Sequence, residues 1–323
     1  SGGLLKMLYR QTRSSIIYFN QTEDPRPKLI AQHRAIYEAI LERRSADAAD
    51  AAKACDLIFL ALPHEKAMEF AREILKFKNV KVVDLSADYR LSRELYEKNY
   101  TAHLDPRNLA HAVYGLPELN REKIRTARLT ANPGCYPTCS ILALAPFMRL
   151  LDPDTGVFID AKSGVSGAGK TLKTSSHFVS VNENAGAYSP ILHRHADEIK
   201  EQLQILRGGA FSTLFVPNLL PITRGMLVSA FGVLQKSVDV EAVLREFYEN
   251  EPFVRVRSEP VSIKNVAGTH FCDIFVKTAG DKIWINSAID NLLRGASSQA
   301  VANANLMCGF AEATALPRIA HGI

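Results

Sequence analysis

The chain has 323 residues, 47% hydrophobic and 23% charged, which is ordinary globular usage and excludes intrinsic disorder, a collagen-like repeat and a coiled coil. At roughly 150 residues per domain, the length suggests two domains. Lys and Arg number 39 against 34 Asp and Glu, a net charge of +5. An excess so small and scattered suits a small anionic substrate, and no nucleic-acid partner is expected.

In chain order, Leu4, Leu5 and Leu8 share one helical face, and residues 15–19 read as a strand. Residues 28–43 and 46–53 are helix-prone. Residues 56–62 form a continuous apolar run ended by Pro63, the pattern of a strand buried on both faces. Residues 65–76 have helical spacing, and 80–85 and 128–131 read as further buried strands. Strands alternating with helices predict an α/β fold with a Rossmann-like, doubly wound parallel sheet. After residue 150 the texture changes. Short β-branched stretches at 157–159, 213–216, 226–234, 271–278 and 282–286 predict a mostly antiparallel sheet. Helices are expected at 196–206, 239–249 and 296–311. The implied division is a dinucleotide-binding domain over 1–134, rejoined by a C-terminal helical segment at 288–323, and a catalytic and oligomerisation domain over 135–287. The longest apolar runs fall short of the ~20 residues of a membrane span, and Lys6, Arg10 and Arg13 interrupt any signal-peptide core, so no membrane partner is expected. Five cysteines without a CxxC pair read as reduced thiols in the cytoplasm, or in an organelle stroma or matrix after loss of a targeting segment.

Four motifs carry chemistry. In Asn132-Pro133-Gly134-Cys135-Tyr136-Pro137-Thr138, an extended segment turns at Gly134 into a predicted helix. Cys135 then sits at a helix N-terminus, where the macrodipole favours a thiolate. Two readings stand: an activated nucleophile, or a buried structural cysteine. Cys139, one turn on, reads as core. In His193-Arg194-His195-Ala196-Asp197-Glu198, a helix would put His195 and Glu198 on one face, a carboxylate beside an imidazole that could act as a base. His193 joins His195 only if the segment is extended. Solvated capping histidines or a metal site are the other readings. The string Gly164-Val165-Ser166-Gly167-Ala168-Gly169-Lys170-Thr171 matches the Walker A pattern, yet the Ser/Thr-rich stretch after it lacks an apolar helical stripe. A P-loop phosphotransferase using Lys170 and Thr171 is therefore the rival reading, against a loop whose free N–H groups bind an anion. Finally, Arg224, in Pro221-Ile222-Thr223-Arg224-Gly225, and Arg90, just past a parallel strand, could clamp a carboxylate or phosphate.

Taken together with Ala61-Leu62-Pro63-His64, Asp84-Leu85-Ser86-Ala87-Asp88-Tyr89-Arg90, Tyr114-Gly115-Leu116-Pro117 and Ser287-Ala288-Ile289-Asp290-Asn291, these strings resemble the N-acetyl-gamma-glutamyl-phosphate reductases from about residue 56 to 311. The resemblance implies an NADP-dependent enzyme of arginine biosynthesis that reduces N-acetyl-glutamyl 5-phosphate to the semialdehyde and phosphate through a cysteine thioester. It implies catalytic roles for Cys135, His195, Glu198 and His193. It implies cofactor contacts at Gly2, Gly3, Leu62, Pro63, Ser86, Ser166, Gly167 and Asn291, the last on the nicotinamide amide. Asn132, Arg90 and Arg224 would contact substrate, and a homodimer or homotetramer is implied. Reductases of aspartyl or aminoadipyl phosphate are the chemical alternatives. The family pattern starts with a strand and a glycine turn, of which only Ser1-Gly2-Gly3 is present. Native residues before Ser1 are expected, which intact-mass measurement of the native protein tests.

Overall fold

The computed structural model describes residues 55–169 and 173–320, together with the backbone of a strand at Ser15–Phe19. Gly2, Gly3, the expected helices over 28–43 and 46–53, and the Walker-like Lys170 and Thr171 lie outside the described residues. The chain divides into two compact units. One runs to Pro133 and is rejoined by Gln299–Ala315; the other comprises Gly134–Ser298 and the chain from Leu316 onward.

The first unit holds a five-stranded sheet in the order β1-β2-β3-β5-β4, with β1 Ser15–Phe19, β2 Leu57–Ala61, β3 Lys81–Asp84, β4 Val113–Tyr114 and β5 Leu129–Ala131. Strands β2 to β5 are parallel, while β1 pairs antiparallel to β2. The apolar run of β2 explains why it sits inside the sheet. Ile58 and Leu60 enter one cluster with Val82, Leu129 and helix α1 (Lys66–Ile74). Leu57 and Phe59 enter a second on the opposite face with Val83, Ile124, Ala300, Ala304 and Met307. Each Val, Leu, Ile, Phe or Met side chain among these contributes roughly 1.5–3 kcal/mol by burial. Further helices α2 (Arg93–Asn99) and α3 (Pro117–Thr126), with a single turn at Pro106–Leu109 between them, continue the αβ alternation.

The second unit is built on a seven-stranded mixed sheet, ordered β10-β11-β12-β9-β6-β8-β7. Its strands are β6 Val157–Gly164, β7 Gly186–Ala187, β8 Thr213–Leu220, β9 Met226–Val233, β10 Val254–Val256, β11 Cys272–Ala279 and β12 Lys282–Ile289. The β6–β8 and β10–β11 pairs are parallel and the rest antiparallel. Alternate residues of β6 and β9 are buried, as one-sided cover requires. On the covered side lies α4 (Cys135–Leu144), whose residues from Tyr136 to Leu144 are all buried, so it is apolar all round. Helix α5 (His195–Arg207) packs on α4. Helix α6 (Val240–Phe247) starts at Asp239, whose carboxylate accepts from Glu241 N and Ala242 N. On the other side, Phe158, Leu214 and Phe231 are 49%, 38% and 45% exposed. They form one apolar row across three adjoining strands, since Phe158 is paired with both neighbours in register. Trp284 packs on Phe275, at 5.7 Å between rings, in a small cluster with Val261, Val266 and Leu227.

The expected C-terminal helix is shorter than 296–311. Leu293–Ser297 is a π-turn, and helix α7 follows at Ser298–Met307. Among the described residues no helix is long and apolar enough to cross a membrane.

Candidate active site

Cys135 is the first residue of α4, and Gly134 is its N-cap in extended conformation. The turn is fastened from both sides. Gly134 O accepts from the backbone N and the Oγ1 of Thr138, both at 2.9 Å. Gly134 N donates to the buried Glu198 Oε1 at 3.0 Å. The extended approach explains why glycine stands at 134. A Cβ there would come within 2.5 Å of His195 Nε2, because the imidazole lies directly over this residue. The helix N-terminus, the thiol and an imidazole edge are thus assembled within one unit.

Cys135 and Cys139 are chemically distinct. Burial pushes the Cys139 thiol up to about 12, and its Sγ lies 3.1 Å from Ser287 Oγ. It stays protonated and packed, as expected from the sequence. Cys135 is partly exposed.

The His-Arg-His segment resolves the question left open by its spacing. Helix α5 begins at His195, so His193 is outside the helix and its ring stands 4.9 Å from that of His195. Burial, with the neighbouring Arg194, holds His193 down at about 4. It is neutral near pH 7, and its Nδ1 accepts the backbone N–H of His195 at 3.1 Å. Its ring is enclosed edge-to-face by Tyr136, Tyr188 and Phe215. The packing of this group was not legible in the sequence, although Tyr136 adjoins the cysteine. Tyr136 also meets His195, and Tyr188 donates its hydroxyl proton to Tyr136 Oη at 3.0 Å. Glu198, expected to orient His195, accepts from the backbone N of Gly134, the N-cap of α4; His195 and Glu198 both stand in the first turn of α5.

Arg224 sits in the turn between β8 and β9, its guanidinium 3.4 Å from Asp290 Oδ2. Gly225 has φ +108, and a Cβ there would fall 2.1 Å from Ile263 Cγ2, so only glycine fits. The 164–169 loop, read from sequence as an anion nest, is laced to this turn. Gly164 N, Val165 N and Ser166 N donate to Gly225 O, Ile222 O and Thr223 O. These three N–H groups are taken up inside the unit, and Gly169 N donates to Ser166 O. The loop is followed by single helical turns at Thr174–Ser176 and Phe178–Val181, not by the long helix a P-loop requires. Asn291 fastens both segments: its Oδ1 accepts from Gly225 N at 2.6 Å and its Nδ2 donates to Ser166 Oγ at 3.1 Å. Gly167 is exposed at the tip.

The remaining candidates belong to the first unit. Leu62 and Pro63 follow β2, and Ser86 and Arg90 follow β3. Ser86 Oγ donates to Asp84 Oδ2 at 2.7 Å, and Arg90 Nη2 donates to Leu85 O at 2.7 Å. Burial and the nearby Asp88 hold the Asp84 carboxyl above its usual range. Asn132 follows β5; its N donates to Asp84 O and its Oδ1 accepts from Asn303 Nδ2 of α7.

A parallel α/β unit, and a mixed-sheet unit presenting a helix-N-terminal cysteine beside an imidazole, define a semialdehyde-dehydrogenase type of protein. Residues 2–127 match the model of the semialdehyde dehydrogenase NAD binding domain, and 135–291 that of the semialdehyde dehydrogenase dimerisation domain. The solved aspartate semialdehyde dehydrogenase II of Vibrio cholerae shares the fold, with a TM-score of 0.63 over 80% of each chain at 15% identity. The chain is 73% identical over 278 residues to the N-acetyl-gamma-glutamyl-phosphate reductase of Campylobacter hominis, covering 86% of this chain and 83% of that one. It is 55% identical over 319 residues to that of Wolinella succinogenes, covering 98% and 94%. The chain belongs to the N-acetyl-gamma-glutamyl-phosphate reductase family.

Proposed function

We propose that the chain reduces N-acetyl-γ-glutamyl phosphate to N-acetylglutamate semialdehyde and phosphate, a step toward arginine, with Cys135 as nucleophile and NADPH as reductant. The observation that carries this reading is the seating of Cys135 on the first turn of α4, with His195 lying over Gly134.

The first unit has features that suit a dinucleotide. Leu62, Pro63 and Ser86 stand at the carboxyl ends of parallel strands, where open α/β sheets take ligands. Gln299 Oε1 and Asn303 Oδ1 are buried acceptors that no described residue satisfies, and a ligand's N–H or O–H groups would fill that need. When bound, NADPH supplies the hydride that brings the Cys135 acyl group to the aldehyde level. We assign this cofactor role to the parallel-sheet unit and the reacting groups to the mixed-sheet unit.

In the second unit, Cys135 Sγ attacks the acyl carbon and the bond from that carbon to the phosphate oxygen breaks, leaving a thioester. The α4 N-terminus favours the anionic sulfur before attack. As hydride arrives, protonated His195 gives its proton to the developing oxyanion and takes it back as the thiohemiacetal collapses; the C–S bond breaks, and sulfur leaves with the electron pair as thiolate. General acid–base help of this kind is worth about 10²–10⁴-fold. His193 and Glu198 act as positioning residues, through His195 N and Gly134 N respectively. Arg224 is the candidate for the substrate carboxylate, and the buried Asp290 behind it keeps the guanidinium oriented. The test is phosphate-dependent reduction of NADP by the full chain with N-acetylglutamate semialdehyde. Absorbance of NADPH should rise only when phosphate is present, and absence of turnover would refute the proposal.

We also propose a homo-oligomer, a dimer or tetramer, in which a second copy covers the Phe231–Phe158–Leu214 row. The match of residues 135–291 to a dimerisation domain supports this, as does so apolar a row on an open sheet. Replacing Phe231 with Glu should shift sedimentation toward monomer, and an unchanged profile would count against this face. The free cysteines suit a reducing compartment such as the cytoplasm; quantitative thiol titration of freshly isolated native protein checks their state.

A further inference from the structure

We infer that Gly295 is a positioning residue for the nucleophile: the π-turn at Leu293–Ser297 is pressed against Cys135, and the absence of a side chain at 295 fixes where the thiol stands. The inference rests on the reading of Cys135 as the attacking group.

Three observations carry it. First, a Cβ built on Gly295 would lie 2.6 Å from Cys135 Cβ and 3.1 Å from Cys135 Cα. Its backbone is outside the left-handed region, so the position demands glycine for close approach and not for conformational freedom. Second, the turn has the wide hydrogen bonding of a π-helix, with Gly295 N donating to Asp290 O and Ser297 N to Leu292 O, both at 2.9 Å. Such turns are rare and recur at functional sites. Third, the turn cannot retreat. The fully buried Asp290 accepts from Leu292 N and Leu293 N through Oδ1, and from Gly268 N and Arg224 Nη1 through Oδ2. Any bulk at 295 must therefore be absorbed at Cys135. That residue is itself the first of a helix whose N-cap is tied to Glu198. One carboxylate thus sets both the wall behind the thiol and the guanidinium assigned to the substrate.

The test compares Gly295→Ala with Gly209→Ala in the full chain. Gly209 has no neighbour within 4 Å of a built Cβ and serves as the control. Gly295→Ala should lower kcat by roughly 10- to 100-fold with KM changed less than about threefold, the effect of displacing a reacting atom. The rate of Cys135 alkylation by iodoacetamide, followed across pH by peptide mass spectrometry, should also change, whereas Gly209→Ala should leave both readouts unaltered. Wild-type kcat and an unchanged alkylation profile in Gly295→Ala would overturn the inference. Should Gly295→Ala fold poorly, melting temperatures of Gly295→Ala, Cys135→Gly and the double variant decide. A clash with the Cys135 side chain predicts that the double variant loses less than the sum, and additive losses would overturn the inference. If Cys135→Ser remains active, the nucleophile assignment fails instead; alkylation and melting report on Gly295 without any turnover.

Discussion

Replacing Cys135 with serine is expected to lower kcat by about 10³-fold or more, while Cys139→Ser keeps activity within a few-fold of the parent. Both residues carry sulfur on the same helix, but their surroundings differ. Cys135 stands at the first helical position, partly exposed, where orphan N–H groups stabilise an anion. Cys139 is wholly buried, its thiol pushed up to about 12, with Ser287 Oγ at 3.1 Å. A serine hydroxyl at 139 has that same partner, so the cost in stability should be on the order of 1–2 kcal/mol. Steady-state rates of the two purified variants, alongside their melting curves, make the comparison. Loss of activity in Cys139→Ser with Cys135→Ser unaffected would reverse the assignment.

The second large effect is expected at His195. His195→Asn should lower kcat by about 10²–10⁴-fold, the worth of general acid–base help from a positioned imidazole. His193 is its nearest ring neighbour, but burial holds that group down at about 4 and its Nδ1 is committed to the His195 backbone N–H. It is neutral near pH 7. Asparagine keeps a polar group of similar reach above Gly134, so the fold should survive and the loss should fall on turnover. A decrease of less than tenfold at saturating substrate would remove His195 from the proton-transfer role.

The parts of the fold visible in the sequence were those whose pattern is set by burial. The run at 56–62 has no polar residue after Asp56 because β2 is covered on both faces. The alternation through 226–234 reflects a sheet covered on one face only. By contrast, β4, β7 and β10 have two or three residues each, too few to display a period. At the site, Gly134-Cys135 could be read because a glycine turn entering an apolar helix is a local event. The fates of N–H groups are not local. Nothing within 164–169 reveals that Ile222, Thr223 and Gly225 take up its first three donors. In the same way, Asp290 and Gly295 matter through residues more than sixty positions away, and a π-turn has no compositional mark. Whether His193 joined the site depended on whether α5 begins before it or after it.

The packing of Trp284 against Phe275 bears on how the molecule can be watched. It is the chain's only tryptophan, and it belongs to the unit that carries Cys135. Selective excitation of tryptophan therefore makes the emission a built-in reporter placed in that unit. Far-ultraviolet dichroism sees the helices of both. Overlaying the two signals during denaturation would separate one cooperative transition from two without adding a label.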